Sequence, residues 1–337
     1  MALPIIAVTM GDYNGIGPEV ILKTLHTCKP THSRPLLIGY RQVFEYYAAR
    51  MGFTLHIRPV ADPNELHDPG VVTSDEIPLF EIDRSGPLEI TPGKPGPHTG
   101  ESSMRSVSAG VELCLAGTTD ALVTAPISKE AIFQAGYKHH GHTDYLAELC
   151  DTSHVQMILV NDGLRVALAT IHIPLSAVPA LITPGRIKKE LLALQESLIR
   201  DFGISVPRIA VLGLNPHAGD GGVIGREEIE AIRPGMDAAT AAGVNCDGPM
   251  PADGFFGSGQ WKLYDAILAT YHDQGLIPFK TLSFGKGVNF TAGLPIIRTS
   301  PDHGTGFDIA GHGTASASSF EAAYELAVSM ATKRMVQ

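Results

Sequence analysis

Three apolar runs in this sequence each give way to a histidine. Val166–Ile171 leads into His172, Ile209–Leu214 leads through Asn215 and Pro216 into His217, and Ala266–Tyr271 leads into His272. In α/β sheets, functional groups collect at the carboxyl ends of strands, where the loops form a crevice. Three imidazoles gathered there can bind one divalent metal and leave positions open for substrate oxygens. Asp273, beside His272, and Asp253, in Pro251-Ala252-Asp253-Gly254, could orient such ligands or complete the shell. A single histidine at a strand end is more often a hydrogen-bonded loop residue. The repeated context is what singles these three out.

Other residues suggest an anion. Lys280, Lys286 and Arg298, with Asn289 among them, are interleaved with Gly285, Gly287 and Gly293 in a chain whose net charge is −10. Such a cluster reads either as a pocket for phosphate or carboxylate or as a solvated basic loop. His142 and Thr143, in Gly141-His142-Thr143-Asp144, stand ahead of the apolar stretch Tyr145–Leu149. They suit either a simple helix cap or polar contacts at a helix N-terminus, a natural anion site. His139 and His140 read as solvated.

Two glycine-rich segments complete the set. Met10–Glu19 has the spacing G-x-x-x-G-x-G rather than G-x-G-x-x-G, and close packing explains it as well as a phosphate does. It is not read as a Rossmann fingerprint. His303–Gly311 is built of small residues that let a backbone approach an adenine or ribose, or simply turn before a last helix.

The elements that must position these groups alternate. Strands are expected at 4–9, 35–39, 121–124, 155–160, 166–172, 209–214 and 266–272. Helices are expected from Pro18, and over 43–51, 102–115, 128–135, 184–202, 227–242 and 316–334, with 59–100 irregular or at an edge. This alternation predicts an α/β fold with mixed or parallel sheet. At 337 residues and 44% hydrophobic content, one large or two ordinary domains are expected. The negative charge argues against a nucleic-acid partner. No apolar run reaches membrane-spanning length, and the first residues lack signal-peptide features, so no membrane partner and cytoplasmic residence are the expectations. Cys28, Cys114, Cys150 and Cys246 form no C-x-x-C pair and read as small hydrophobes rather than disulfide partners.

Seven segments together resemble one family. "MGDYNGIGPE", "VTAPISKEAI", "GHTDYLAE", "ATIHIPL", "LGLNPHAGDGG", "YHDQGLIPFK" and "DHGTGFDIAG" run in the order found in the 4-hydroxythreonine-4-phosphate dehydrogenases, NAD(P)-dependent enzymes of pyridoxal phosphate synthesis. The resemblance implies the two-domain α/β fold of isocitrate and isopropylmalate dehydrogenases, with mixed sheets, an interdomain cleft and no Rossmann unit. The expected division is 1–128 plus 300–337, carrying the cofactor loop, and 129–299, carrying the metal ligands and dimer interface. It places one divalent metal (zinc, magnesium or cobalt) on His172, His217 and His272, and substrate on His142, Thr143, Lys280, Asn289 and Arg298. NAD or NADP would lie along Gly304, Thr305, Asp308 and Gly311, and Lys280, Asp253 or Asp273 would serve as catalytic groups. A homodimer with an active site shared between subunits is also implied.

The activity so implied is oxidation of the secondary alcohol of 4-phosphooxy-L-threonine to 2-amino-3-oxo-4-phosphooxybutanoate, which decarboxylates to 3-amino-2-oxopropyl phosphate. The sequence departs from the family at Tyr13-Asn14, where Pro-Ala is usual, at Asp144 for Glu and at Gly254 for Thr. Those departures leave open a same-family dehydrogenase of 4-phospho-D-threonate, D-erythronate or a terephthalate cis-dihydrodiol. From another class, a metal-dependent hydrolase or lyase acting on a phosphorylated metabolite fits the histidines and the anion pocket without a nicotinamide.

Overall fold

The structure, a computed structural model, describes residues 3–28, 31–68, 76–83 and 88–336. The elements run β1 Ile5–Thr9, α1 Gly17–Cys28, β2 Arg34–Gly39, α2 Arg41–Met51, β3 Ile57–Pro59 and β4 Ile77–Glu81. They continue with α3 Pro97–Leu115, β5 Ala121–Thr124, α4 Lys129–Gln134, α5 His142–Leu149, β6 Gln156–Asn161, β7 Leu164–Leu168 and α6 Val178–Leu181. Then come α7 Pro184–Arg200, β8 Ile209–Leu212, α8 Arg233–Thr240, β9 Cys246–Met250, α9 Ala252–Gly257 and β10 Ala266–Ala269. The chain ends with α10 His272–Ser283, β11 Val288–Ala292, β12 Arg298–Pro301 and α11 Ser318–Val336.

Two compact units result: Met1–Val155 with Leu294–Gln337, and Gln156–Gly293. The sequence expectation put the junctions at 128/129 and 299/300. Residues 129–149 fall in the first unit because Tyr145 on α5 hydrogen-bonds Ser108 on α3 at 2.5 Å, and α4 packs so closely on α3 that a Cβ on Gly100 would collide with the Ala131 carbonyl.

In the first unit six parallel strands lie in the order β3-β4-β2-β1-β5-β12. Every residue of the central β1 is buried, as a strand covered on both faces requires. The N-terminal glycine loop here serves packing. A Cβ on Gly15 would stand 2.7 Å from the Thr305 carbonyl, and one on Gly17 the same distance from that of Met10. Within that loop Asp12 is buried, and burial raises its carboxyl to about 6 against the opposing hydrogen bonds from Thr99 and the Asn14 amide.

The second unit orders its strands β11-β6-β7-β10-β8-β9, antiparallel from β11 to β7 and parallel from β7 to β9. Its core gathers Leu168, Leu212, Ile267 and Phe279 between the strands and α10. The α/β class expected from the alternation is therefore present in both units. Two local expectations differ. The stretch around Asn289 and Arg298, for which no strand was expected, contains strands β11 and β12. The expected helix 227–242 opens as a π turn, Glu228–Ile232, before α8. Pro234 has no amide proton to return a hydrogen bond into that turn. Among the described residues, no helix is long and apolar enough to cross a membrane.

Candidate active site

Strands β7, β10 and β8 are neighbours and parallel, so their carboxyl ends share one edge of the second unit's sheet. The strands themselves stop at Leu168, Ala269 and Leu212, short of the histidines. This corrects the expectation that the apolar runs are strand up to the imidazoles. His272 is the first residue of α10, and His172 sits in a loop with φ 42°. His217 begins five successive residues, His217 to Gly221, with φ between 44° and 80°. Left-handed backbone at a non-glycine residue costs about 1–3 kcal/mol and persists where its surroundings enforce it.

The structure brings two of the three imidazoles together. The rings of His172 and His272 lie 5.6 Å apart between centroids. Two imidazoles on one tetrahedral ion, with metal–nitrogen bonds of about 2 Å, have centroids roughly 5 Å apart. His272 Nδ1 and an Asp273 carboxylate oxygen are 2.7 Å apart, which places the proton on Nδ1 and leaves Nε2 free as a donor to a cation. A cavity of about 300 Å³ opens here, lined by Thr170, His172, Leu175, Tyr271, His272 and Asp273. His217 is exposed on its turn, and among the described residues no three metal-binding side chains are already gathered. Asp253 is exposed in the first turn of α9. Lys280 is exposed in the last turn of α10, about 12 Å along the axis from His272.

Residues not singled out from sequence hold the strand ends in register. Thr170 donates to the Thr270 carbonyl at 2.8 Å. Gln274 accepts from the Thr270 amide at 2.8 Å and donates to the Gly213 carbonyl at 2.5 Å. The one available signal was the repetition of Ala-Thr at 169–170 and 269–270.

In the first unit, β12 and α5 place Arg298 and His142 near each other. Arg298 is 2% exposed and donates to Thr124 Oγ1 through Nε at 3.1 Å and Nη2 at 2.7 Å. Burial pulls its guanidinium down to about 9, so it remains a cation at neutral pH. His142 is held well below the usual imidazole range, first by burial and then by the charge of Arg298. Its Nε2 is buried without a protein partner. Thr143 follows in the first turn of α5 and is half-buried. Asn289 lies on β11 of the second unit opposite Leu159, its Oδ1 likewise buried and unpartnered. His139 corrects its reading as solvated: it stacks edgewise on Tyr145 at 4.8 Å and meets Glu148 at 3.0 Å.

The 303–311 segment is a set of tight turns tied to α1 and α2. Ile16 donates to the Thr305 carbonyl at 2.9 Å, the Gly311 amide donates to Glu19, and Arg50 donates to the Gly311 carbonyl at 3.0 Å. Asp308 is exposed within these turns. No heavy atom lies within 4 Å of where a Cβ on Gly304 would stand, and the neighbouring His303 Nε2 is buried without a partner.

Comparison with known proteins decides the family. The family model described as "Pyridoxal phosphate biosynthetic protein PdxA" matches residues 31–327. The chain belongs to the PdxA family. It is 48% identical to the 4-hydroxythreonine-4-phosphate dehydrogenase of Prosthecochloris aestuarii, over 98% of each chain. A solved 4-hydroxythreonine-4-phosphate dehydrogenase from Klebsiella pneumoniae superposes with TM-score 0.88 at 38% identity, over 98% of each chain. A terephthalate 1,2-cis-dihydrodiol dehydrogenase from Burkholderia xenovorans superposes with TM-score 0.65 at 27% identity, over 97% of this chain and 98% of that one. These PdxA relatives are named as dehydrogenases, and the chain is an oxidoreductase of that family.

For a PdxA member, both implied groups suit the residues present. The paired imidazoles of His172 and His272, one backed by a carboxylate, are donors of the kind that suit a borderline divalent cation. The open side of Gly304 and the unpartnered His303 Nε2 leave room and hydrogen-bonding capacity for a polar ring edge.

Proposed function

We propose that this protein oxidises the secondary alcohol of 4-phosphooxy-L-threonine with NAD(P)+, giving 2-amino-3-oxo-4-phosphooxybutanoate for pyridoxine 5′-phosphate synthesis. The observation that carries the reading is the His172–His272 pair with Asp273 behind it, at the edge shared by β7, β10 and β8. His172, His217 and His272 hold one divalent cation, and Gly304, Thr305, Asp308 and Gly311 line the dinucleotide. When bound, the cation would supply Lewis acidity at the substrate hydroxyl and the nicotinamide would supply hydride-accepting capacity.

The chain's own groups bind and orient. Arg298, cationic and desolvated, offers a planar fork to a phosphate or carboxylate. His142, its imidazole held well below the usual range by burial and by Arg298, presents its unpartnered Nε2 to the substrate. Thr143, Lys280 and Asn289 supply the remaining polar contacts, so that the reacting carbon is held in one orientation. Asp273 fixes the tautomer of His272, and oriented water, Asp253 or Lys280 would take the hydroxyl proton. The β-keto acid product then loses its carboxylate to give 3-amino-2-oxopropyl phosphate.

The finer picture is a cytoplasmic homodimer whose two subunits share the site. Exposed Val223, Ile224, Leu263 and Ile277 of the second unit give it apolar surface to bury. His217→Ala is the direct test: it loses bound metal and turnover, while the metal-free protein keeps its melting temperature within about 2 °C. Turnover at the wild-type rate in that variant with chelator present would remove the metal from the reaction. NADH absorbance at 340 nm, followed across phosphothreonine-, erythronate- and dihydrodiol-type alcohols, tests the substrate. No absorbance change with any of them, alongside release of phosphate, would favour the hydrolase.

A further inference from the structure

The turn that carries His217 is folded around one buried carboxylate. Glu228, 1% exposed, stands at the start of the π turn. Its Oε1 accepts from the backbone amides of Leu214 and Asn215, both at 2.8 Å, and its Oε2 from Asn215 Nδ2 at 3.0 Å. Glu227 accepts from the same Nδ2 at 2.7 Å, so the side chain two residues before His217 is held by two carboxylates. Two glycines admit the buried one. A Cβ on Gly213 would stand 3.1 Å from Oε1, and one on Gly219 would stand 2.6 Å from Oε2.

A carboxylate buried against neutral N–H groups is costly to desolvate. Its purpose is therefore sought in what it shapes. Five consecutive left-handed residues, three of them not glycine, do not form unaided. Glu228 grips the chain immediately before that run, and Gln274 ties the same segment, through the Gly213 carbonyl, to the junction that presents His272. Thr170 extends the polar chain to the end of β7 and the loop of His172.

We infer that Glu228 is a positioning residue of the three-histidine site: it folds the 213–222 turn so that His217 faces the cation, and Gln274 locks this turn to the start of α10. The inference rests on the metal reading proposed above. A π turn at such a place accords with the usual siting of these distortions at functional positions.

The test uses the full chain, stripped of metal and titrated with Co2+ by calorimetry and visible absorbance. In Glu228→Gln one acceptor becomes an NH2 group that opposes either Asn215 Nδ2 or the two backbone amides. Co2+ binding is expected to weaken about 10–100-fold. In the metal-free variant the Leu214 and Asn215 amides should also exchange hydrogen faster, while the melting temperature stays within a few degrees. Gln274→Met keeps the test alive if Glu228→Gln does not fold, and should weaken Co2+ by a smaller factor. Glu230→Gln, exposed and paired with Arg226, should leave affinity unchanged. Wild-type Co2+ affinity in both Glu228→Gln and Gln274→Met would overturn the inference alone. A wild-type protein that takes up no Co2+ would sink the metal reading and this inference with it.

Discussion

The anion corner of the first unit and the histidine edge of the second solve the same problem in opposite ways. Arg298 and His142 sit on or beside regular elements and are shaped by burial: one cation pulled down to about 9, one imidazole held well below its usual range. The histidines lie past the strand ends, two of them on left-handed backbone; Thr170 and Gln274 donate to the Thr270 and Gly213 carbonyls of the segments that carry them, and Asp273 accepts from the His272 ring. A group that must meet a charged substrate gains from a dry setting, where each charge–charge contact is stronger. A group that must donate a lone pair to a cation needs a correct tautomer and direction more than it needs burial. On the roles proposed above, where a group sits in these units follows what it would bind.

The comparison breaks most visibly at Arg298. Arg298→Met removes a desolvated cation and keeps much of the side chain's volume. The lost charge-assisted contacts should lower kcat/KM by about 1000-fold, chiefly through KM. The same change should raise the melting temperature, because the buried charge is a cost to the free protein. A variant with unchanged KM, or with a lower melting temperature, would show that the corner is structural.

Burial also shapes a carboxyl of the second unit, that of Glu190 on α7. The carboxyl is 5% exposed, and burial raises it to about 7 from 4.5, against Arg186 and a 2.8 Å hydrogen bond from Gln156. The folded protein therefore holds this proton between pH 4.5 and 7 more tightly than the unfolded chain does. The associated stability is complete below pH 4.5 and is lost as the pH rises through 7. Glu190→Gln can keep the bond from Gln156 and has no proton to lose. It should be more stable than the wild type at pH 8 by on the order of 2 kcal/mol and indistinguishable near pH 4.5. Chemical denaturation at the two pH values measures this, and equal differences at both would contradict it.

Much of this arrangement was legible in the chain, for reasons that vary by residue. The runs that became β1, β5, β7, β8 and β10 are apolar on both faces, so their burial needs no knowledge of partners. Three such strands in parallel make the shared histidine edge follow almost directly. The point at which each strand stops was not legible. It is set by bonds such as Thr170 to Thr270, between residues a hundred apart. β11 escaped notice although Val288-Asn289-Phe290 alternates, because flanking glycines and lysines suggest a loop until β6 is there to pair with it. Glu228 was invisible for a related reason. A glutamate in a helical stretch reads as solvated, and only the approach of Gly213 and Gly219 turns it inward.

The smallest effect belongs to Asp273, and it sharpens the contrast between burial and orientation. Its side chain is 70% exposed and its bond to His272 Nδ1 is 2.7 Å long. If the histidine edge depends on tautomer rather than on charge, Asp273→Asn should matter little. The amide oxygen can still accept from Nδ1–H, leaving Nε2 free. Solvent screening limits what the lost charge contributes, so Co2+ affinity should fall less than about 10-fold, toward the low end for such partners. Asp273→Leu, which removes the acceptor altogether, should weaken the ion more than Asp273→Asn does. Co2+ titrations of both variants side by side make the measurement. Equal losses would mean that the carboxylate's charge, and not its grip on the ring, is what the second unit uses, and the distinction from the Arg298 corner would then disappear.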